Sequence, residues 1–457
     1  MKKVALWFIC LLSILCKPMS AQDFTATHAS NLSKEAWRKK VPALLASVKV
    51  PQFPDRTYQL AGSPDDTAIL KKINQLIQDC SAKGGGKVVI PKGSYLLKGS
   101  IFLRSNVHLH LEEGAVLRFS PDPKDYLPVV RVRWEGTICY NYSPLIYAYQ
   151  EKNIAITGKG TIDGQAEKFF YQWKKLQKPD KQRLRKMGND RVPEKERVFG
   201  EGHYLRPDGI QLHECENNLL EDFTIKGSHF WTIHPVLSKN ITARNLKVAA
   251  GTTNDDGFDP ESCTNVLVEN CVFDTYDDCI AVKAGRDQDG WEKGSTNGVV
   301  VRNCVFKSGV GSGFCIGSEM SGGVKNIFIE NCTITSKKHG LNFKSNKDRG
   351  GFMEHVYIRN LQIDSCKYGL TFTTDYHGWR GNNFPTRYND FYIENVVVNH
   401  AEKLGIQIVG LEEKPIKRLY FNKVQINNTP LPTKLKYFEQ EVAKEVLING
   451  QKKSFRL

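Results

Sequence analysis

Two short acidic clusters hold the residues best suited to chemistry: Asn254-Asp255-Asp256-Gly257-Phe258-Asp259 and Asp277-Asp278-Cys279-Ile280-Ala281-Val282-Lys283. Carboxyls gathered within a few ångströms cannot all ionise freely, so one of them keeps its proton to higher pH than usual. Acid-assisted glycosidic cleavage needs such a pair. One carboxylic acid protonates the leaving oxygen while a carboxylate activates water on the opposite face, about 6.5–9.5 Å away in an inverting arrangement. An oxygen-rich cluster also suits a hard cation such as calcium, and a single aspartate in a turn often only caps the chain. Adjacent acids recurring on one face weigh against capping.

Such clusters meet only if the elements carrying them are held in register. The required pattern is a repeat: an apolar run, an Asn or Asp, then a second short apolar run, as in Val266-Leu267-Val268-Glu269-Asn270-Cys271 and Ile327-Phe328-Ile329-Glu330-Asn331-Cys332. Its anchors fall at 222, 245, 270, 303, 331, 360, 395 and 422, separated by 23, 25, 33, 28, 29, 35 and 27 residues. Strand-like alternation at this loose period, with no helical pattern between copies, predicts an all-β parallel β-helix whose coils carry variable loops. The recurrent Asn would stack its amide from coil to coil at a tight corner. Counted from the preceding anchor, Asp256 lies 11 positions on, Asp277 and Asp278 lie 7 and 8 on, Ser312 lies 9 on, and Asn342 and Lys344 lie 11 and 13 on. These similar offsets put all six on one face, with neighbouring strands about 4.8 Å apart.

Asp66 to Cys80 sets Ile69, Leu70, Ile73, Leu76, Ile77 and Cys80 on one helical face, a plug for the open N-terminal end of the solenoid. Between Gln165 and Gly202 the strand pattern gives way to a charged insertion with Phe169, Phe170, Trp173 and Leu176 at helical spacing. It reads either as a solvated surface helix, the slightly favoured reading, or as a substrate-facing flap. Tyr437 to Ile448 suits a helix or strand over the far end. Residues 1–21 read as a secretory signal peptide, with two lysines and then an apolar run too short to span a membrane. The expected organisation is therefore a leader (1–21), an N-terminal extension (22–59), the solenoid (60–433, with the insertion at 165–202) and a C-terminal cap (434–457). A monomer is expected, secreted or periplasmic.

The formal charge of +15 becomes +12 when Lys2, Lys3 and Lys17 leave with the signal, which favours a polyanionic partner. No nucleic-acid-binding motif accompanies that charge. Ten cysteines remain after Cys10 and Cys16, with no metal-ligand spacing; Cys271, Cys304 and Cys332 sit at apolar strand positions and read as core rungs rather than disulfide partners.

Over residues 60 to 425 the chain resembles the polygalacturonases of glycoside hydrolase family 28. The resemblance rests on Asn-x-Asp-Gly-x-Asp, Asp-Asp-Cys-x-Ala-x-Lys and Gly317-Ser318-Glu319-Met320-Ser321-Gly322-Gly323 in combination. It implies a single-stranded right-handed parallel β-helix of the pectin-lyase-like type and inverting hydrolysis without metal or cofactor. The substrate it implies is an acidic plant cell-wall polysaccharide, pectin, or oligogalacturonides. Asp277 would be the general acid, Asp256 and Asp278 would hold the attacking water, and Lys344 would bind a galacturonate carboxylate. Arg206-Pro207, Phe230-Trp231-Thr232-Ile233-His234-Pro235, Gly285-Arg286 and Asp348-Arg349-Gly350-Gly351 look like the exo-acting bacterial and plant-type branch. Arg286, Arg349 and His234 are then candidates for uronate carboxylates, arginine offering the bidentate fork.

The chain departs from the family at two places. Gly311-Ser312-Gly313 stands where Gly-His-Gly is usual, and Asn342-Phe343-Lys344 where Arg-Ile-Lys is usual. Each change removes a potential cation, which keeps a rhamnogalacturonan-type or branched-pectin hydrolase in view. A calcium-dependent pectate lyase would share the fold and the basic character but not the Asp-Asp-Cys motif. A non-catalytic polysaccharide-binding β-helix would not be expected to keep the acids.

Overall fold

A computed structural model describes residues 24–249, 251–376 and 381–455; the expected signal peptide, 1–21, lies outside them. Alternating burial generates a right-handed parallel β-helix with one continuous core. One ladder stacks Gly86–Ile90, Val107–Leu111, Lys152–Thr157, Glu216–Glu221, Lys239–Arg244, Thr264–Glu269 and Thr296–Arg302, each parallel to the next. A second ladder carries the site: Ile146–Tyr149, Ile210–His213, Ile233–Val236, the bridging residues Phe258 and Glu261, Ile280–Val282, Ser312–Ile316 and His339–Lys344.

The corners form as expected. Asp222, Asn245, Asn270, Asn303, Asn331, Asn360 and Asn395 all have φ between 51° and 72°, the left-handed region that Asn and Asp tolerate. Their side chains bond from coil to coil: Asn245 to Asp222 at 2.9 Å, Asn360 to Asn331 at 3.0 Å and Asn395 to Asn360 at 2.8 Å. At the last copy the left-handed residue is Lys423, not Asn422, because Glu394 pairs with Asn422 in register. A second ladder of amides, Asn106, Asn153, Asn217, Asn240 and Asn265, escaped the sequence reading. All ten cysteines from Cys80 to Cys366 are free and buried, with Cys271, Cys304 and Cys332 in the core.

The helix Ile69–Ala82 buries Ile69, Ile73, Ile77 and Cys80 against the first coils. At the other end no helix forms among the described residues. Phe438–Ala443 and Val446–Ile448 stack parallel on Ile416–Ile426, and Phe455 packs against Phe421 at 5.2 Å. The boundary expected at 433/434 falls inside the strand Leu431–Lys436, because its residues still complete a coil. The N-terminal extension holds helices Ala26–Glu35 and Val41–Ser47. They cover an outer ladder of aromatic rings, with Trp37 on Phe328 at 5.4 Å and Phe328 stacked on Tyr357 at 5.0 Å.

Candidate active site

The bridge Phe258–Ile280 sets two coils in register, so Asp256 and Asp278, each two residues earlier, lie on adjacent rungs. The Gly257 N–H donates to the Asp278 carbonyl at 2.9 Å. The two acidic clusters are locked together by Asp255, whose buried carboxylate accepts from the backbone N–H groups of Gly251 (2.8 Å), Tyr276 (3.1 Å) and Asp277 (2.8 Å). Behind that loop Arg206 is fully buried and donates to the Thr253 carbonyl at 2.6 Å and to Asn254 at 2.8 Å. Gly311 presses against the same place. A Cβ there would lie 2.2 Å from both the Asp277 carbonyl carbon and the Asp278 nitrogen, which is why a side chain is excluded next to Ser312.

Asp256, Asp277 and Asp278 line one cavity of about 290 Å³ with Lys283, Lys344 and Trp231. Asp278 accepts from Lys344 Nζ (2.7 Å), the Ser312 N–H (2.6 Å) and the Cys315 thiol (3.2 Å). Burial opposes its charge, but Lys344, Lys283 and the thiol outweigh burial and hold its carboxyl below the usual range. Asp256 meets Lys283 Nζ at 3.3 Å, and Lys283 is shared with Asp259 and Glu319 at 3.6 Å each and lies 4.1 Å over the Trp231 ring. Burial, with the charges of Asp277 and Asp278, pushes Asp256 up despite that lysine. Asp277 has no lysine within ion-pair distance among the described residues; its carboxyl accepts from the Asp278 N–H at 3.0 Å and from Asn254 Nδ2 at 3.5 Å. Burial and the Asp278 charge raise its pKa.

One side of the cavity is closed by charges from distant segments. The hairpin Val130–Trp134 and Thr137–Asn141 brings Glu135, and the insertion helix Lys178–Asn189 brings Lys181 and Arg185 onto its carboxylate. The insertion is therefore a wall of the cavity rather than a solvated surface helix. Its apolar residues Phe170 and Trp173 are buried in the main core and anchor it. Arg286 bridges Glu135 and Glu319, and Arg349 donates to the Ser318 carbonyl (2.6 Å) and to Asp287 (2.6 Å). Lys181, Arg185, Arg286 and Arg349 all line the cavity. The cations overcome the effect of burial on Glu135 and depress it to about 2.

Three expected site residues sit elsewhere. His234 is fully buried between Asp208 (2.8 Å) and Glu261 (2.9 Å), so both ring nitrogens are occupied and no face reaches the cavity. Ser312 is 1% exposed; its hydroxyl accepts from Asn342 at 3.3 Å, and it acts on Asp278 through its backbone N–H. Asn342 faces a neighbouring groove rather than the cavity. Sequence reasoning missed Glu135, Lys181, Arg185, Trp231, Lys283 and Tyr376, which lie outside the clusters or, for Lys283, at the end of one. Lys181, Arg183, Arg185 and Lys186, a basic stretch within the charged insertion, were the available signal for two of them.

The sequence profile described as glycosyl hydrolases family 28 matches residues 80–444. This chain belongs to that family. It is a glycoside hydrolase. Among solved structures it is similar to the exopolygalacturonase of Thermotoga maritima (34% identity, TM-score 0.84), covering 92% of this chain and 97% of that one. It is also similar to the Yersinia enterocolitica family 28 exopolygalacturonase (25% identity, TM-score 0.69), covering 86% and 78% respectively. A probable polygalacturonase of Vitis vinifera is 28% identical over 364 residues, 76% of this chain and 68% of that protein.

Proposed function

We propose that this enzyme hydrolyses α-galacturonosidic bonds of a pectin-type polysaccharide or its oligosaccharides, acting from a chain end with inversion. The observation carrying this reading is the convergence of three aspartates in a cavity closed on one side by a cation-rich wall. Asp277, with its raised pKa and no lysine partner, is the general acid and gives its proton to the leaving glycosidic oxygen. Water attacks the anomeric carbon from the opposite face, and its proton passes to the ionised Asp278, with Asp256 holding the water beside it. Lys344, Arg286, Arg349, Lys181 and Arg185 make the cavity attractive to a terminal uronate carboxylate, the arginines as bidentate donors. A wall closing one side of the cavity favours a chain end over a polymer passing through. That the Thermotoga and Yersinia proteins are exopolygalacturonases supports the same mode. No helix of the described residues is long and apolar enough to cross a membrane, and residues 1–21 fit export as a signal peptide.

Product analysis on polygalacturonate, rhamnogalacturonan and oligogalacturonides, with and without a chelator, tests this. The expected outcome is single saturated uronate released from polygalacturonate, insensitive to chelation. Unsaturated, chelator-sensitive products would sink the hydrolytic reading. Turnover of rhamnogalacturonan alone would replace the substrate.

A further inference from the structure

Arg206 is fully buried, yet among the described residues it makes no ion pair. Its donors end on neutral oxygens instead. Nε donates to Gln177 Oε1 at 3.0 Å, at the head of the insertion helix, and Nη1 donates to the carbonyls of Thr253 (2.6 Å) and His229 (3.1 Å). Nη2 donates to Asn254 Oδ1 at 2.8 Å, and the guanidinium lies 5.0 Å over the Phe230 ring. One buried cation thus ties the wall of the cavity to the loop that carries the acids. Burial works against its charge, while Glu135, Asp255, Asp277 and Asp256 favour it from beyond contact. The charge is matched by the acid cluster as a whole rather than by one partner.

The bond to Asn254 fixes which way that amide points. A guanidinium can only donate, so Oδ1 faces Arg206 and the Asn254 N–H groups face Asp277. Asn254 lines the cavity from a left-handed backbone position, with φ 61°. On Asp277, Oδ1 accepts from the Asp278 N–H at 3.0 Å, whereas Oδ2 meets Asn254 Nδ2 at 3.5 Å. Oδ2, the more loosely held oxygen, is the one free to carry a proton. We propose that Arg206 and Asn254 are positioning residues for the general acid: the guanidinium aims the amide so that its N–H receives the carboxylate that Asp277 becomes. In that step the O–H bond of Asp277 breaks and an O–H bond forms on the leaving oxygen. The bond from that oxygen to the anomeric carbon breaks, its electron pair stays with the oxygen, and the negative charge remains on Asp277 Oδ2. Hydrogen bonds to an ionised acceptor are shorter and stronger than neutral ones, so the amide contact tightens as the charge develops. The proposal rests on the reading of Asp277 as the general acid.

The test is the dependence on leaving group. Digalacturonate needs its leaving alcohol protonated, whereas nitrophenyl α-galacturonide releases a phenolate that departs without a proton. The ratio of kcat/KM on the two substrates therefore reads the acid step, and it does not depend on how much of a preparation is folded. Asn254→Asp keeps the side-chain size and tolerates the left-handed backbone, but it places an acceptor where Asp277 needs a donor. The expected result is a fall of about 10- to 100-fold on digalacturonate, the scale of one hydrogen bond to a charged group. The fall on the aryl substrate would be much smaller. The alkaline limb of the kcat/KM profile on digalacturonate would move upward, because the Asp277 carboxylate has lost its donor. Arg206→Gln, which frees the amide to turn, should show the same selectivity. Equal losses on both substrates, or an unmoved alkaline limb, would overturn the proposal. Asp277→Asn separates the two claims. If it spares the aryl substrate and the Asn254 and Arg206 variants do not, the positioning role alone fails; if it loses both substrates equally, the general-acid reading fails with it.

Discussion

Lys344 Nζ donates to Asp278 Oδ2 at 2.7 Å, joining residues two coils apart on the site-bearing sheet. This ion pair separates the two adjacent acids chemically. Asp278 is held ionised, and its negative charge then helps keep the proton on Asp277. Neighbours in sequence are thereby assigned opposite ends of the same reaction.

Asp277→Asn should lower kcat by about 10²- to 10⁴-fold, the usual share of general acid catalysis. It should not lower the melting temperature. A carboxyl whose folded pKa is raised favours the fold below its unfolded pKa and loses that contribution as pH rises through the folded value. At neutral pH the amide removes this penalty, so calorimetry should show an equal or higher melting temperature. Retention of wild-type turnover would exclude the assigned role.

Lys344→Met should move the acid limb of the pH profile upward. The depressed pKa of Asp278 keeps its carboxylate available to pH values below the ordinary aspartate range, and it is lost only as pH falls through that depressed value. Removing the ammonium releases Asp278 toward normal or above, since burial then acts unopposed. The profile of kcat/KM against pH reads this directly, and an unchanged acid limb would disprove it.

Lys283→Met should cost about 3–5 kcal/mol of stability, because it leaves buried carboxylates without their cation. Asp259 is the most exposed to that loss: it is fully buried, and neither of its carboxylate oxygens has a hydrogen-bond donor, only Lys283 at 3.6 Å. Adding Asp259→Asn should recover part of the loss in a denaturant titration. Recovery is the informative result, since a nonspecific packing defect would not respond to it.

Lys181→Ala/Arg185→Ala should raise KM for digalacturonate about tenfold with a smaller change in kcat, the pattern of lost uniform binding. Both side chains reach the cavity from an insertion far from the aspartates in sequence. A fall in kcat with KM unchanged would place them in the reaction rather than in binding.

The solenoid was legible because its grammar is local. A parallel coil needs a left-handed corner and alternating apolar residues, and Asn245, Asn270, Asn303, Asn331, Asn360 and Asn395 announce each corner within a few residues. The three aspartates were legible for a related reason: their offsets from those corners are similar, and stacking converts similar offsets into neighbouring positions on one face. His234 misled because a histidine in a family motif looks the same whether its ring faces solvent or lies between two buried carboxylates such as Asp208 and Glu261.

What the sequence determined by itself, then, was the strand repeat, the face on which the acids lie and the class of chemistry they perform. Tertiary structure alone decided which carboxylate is ionised and where the cavity ends. Pairing Asp278 with Lys344 and Asp256 with Lys283 depends on side-chain reach across coils. The wall of Glu135, Lys181 and Arg185 depends on how an insertion and a hairpin fold back over the sheet. Charge interactions fall off with distance in space, not along the chain, and loop excursions of this length carry no periodic signal that would fix where they land.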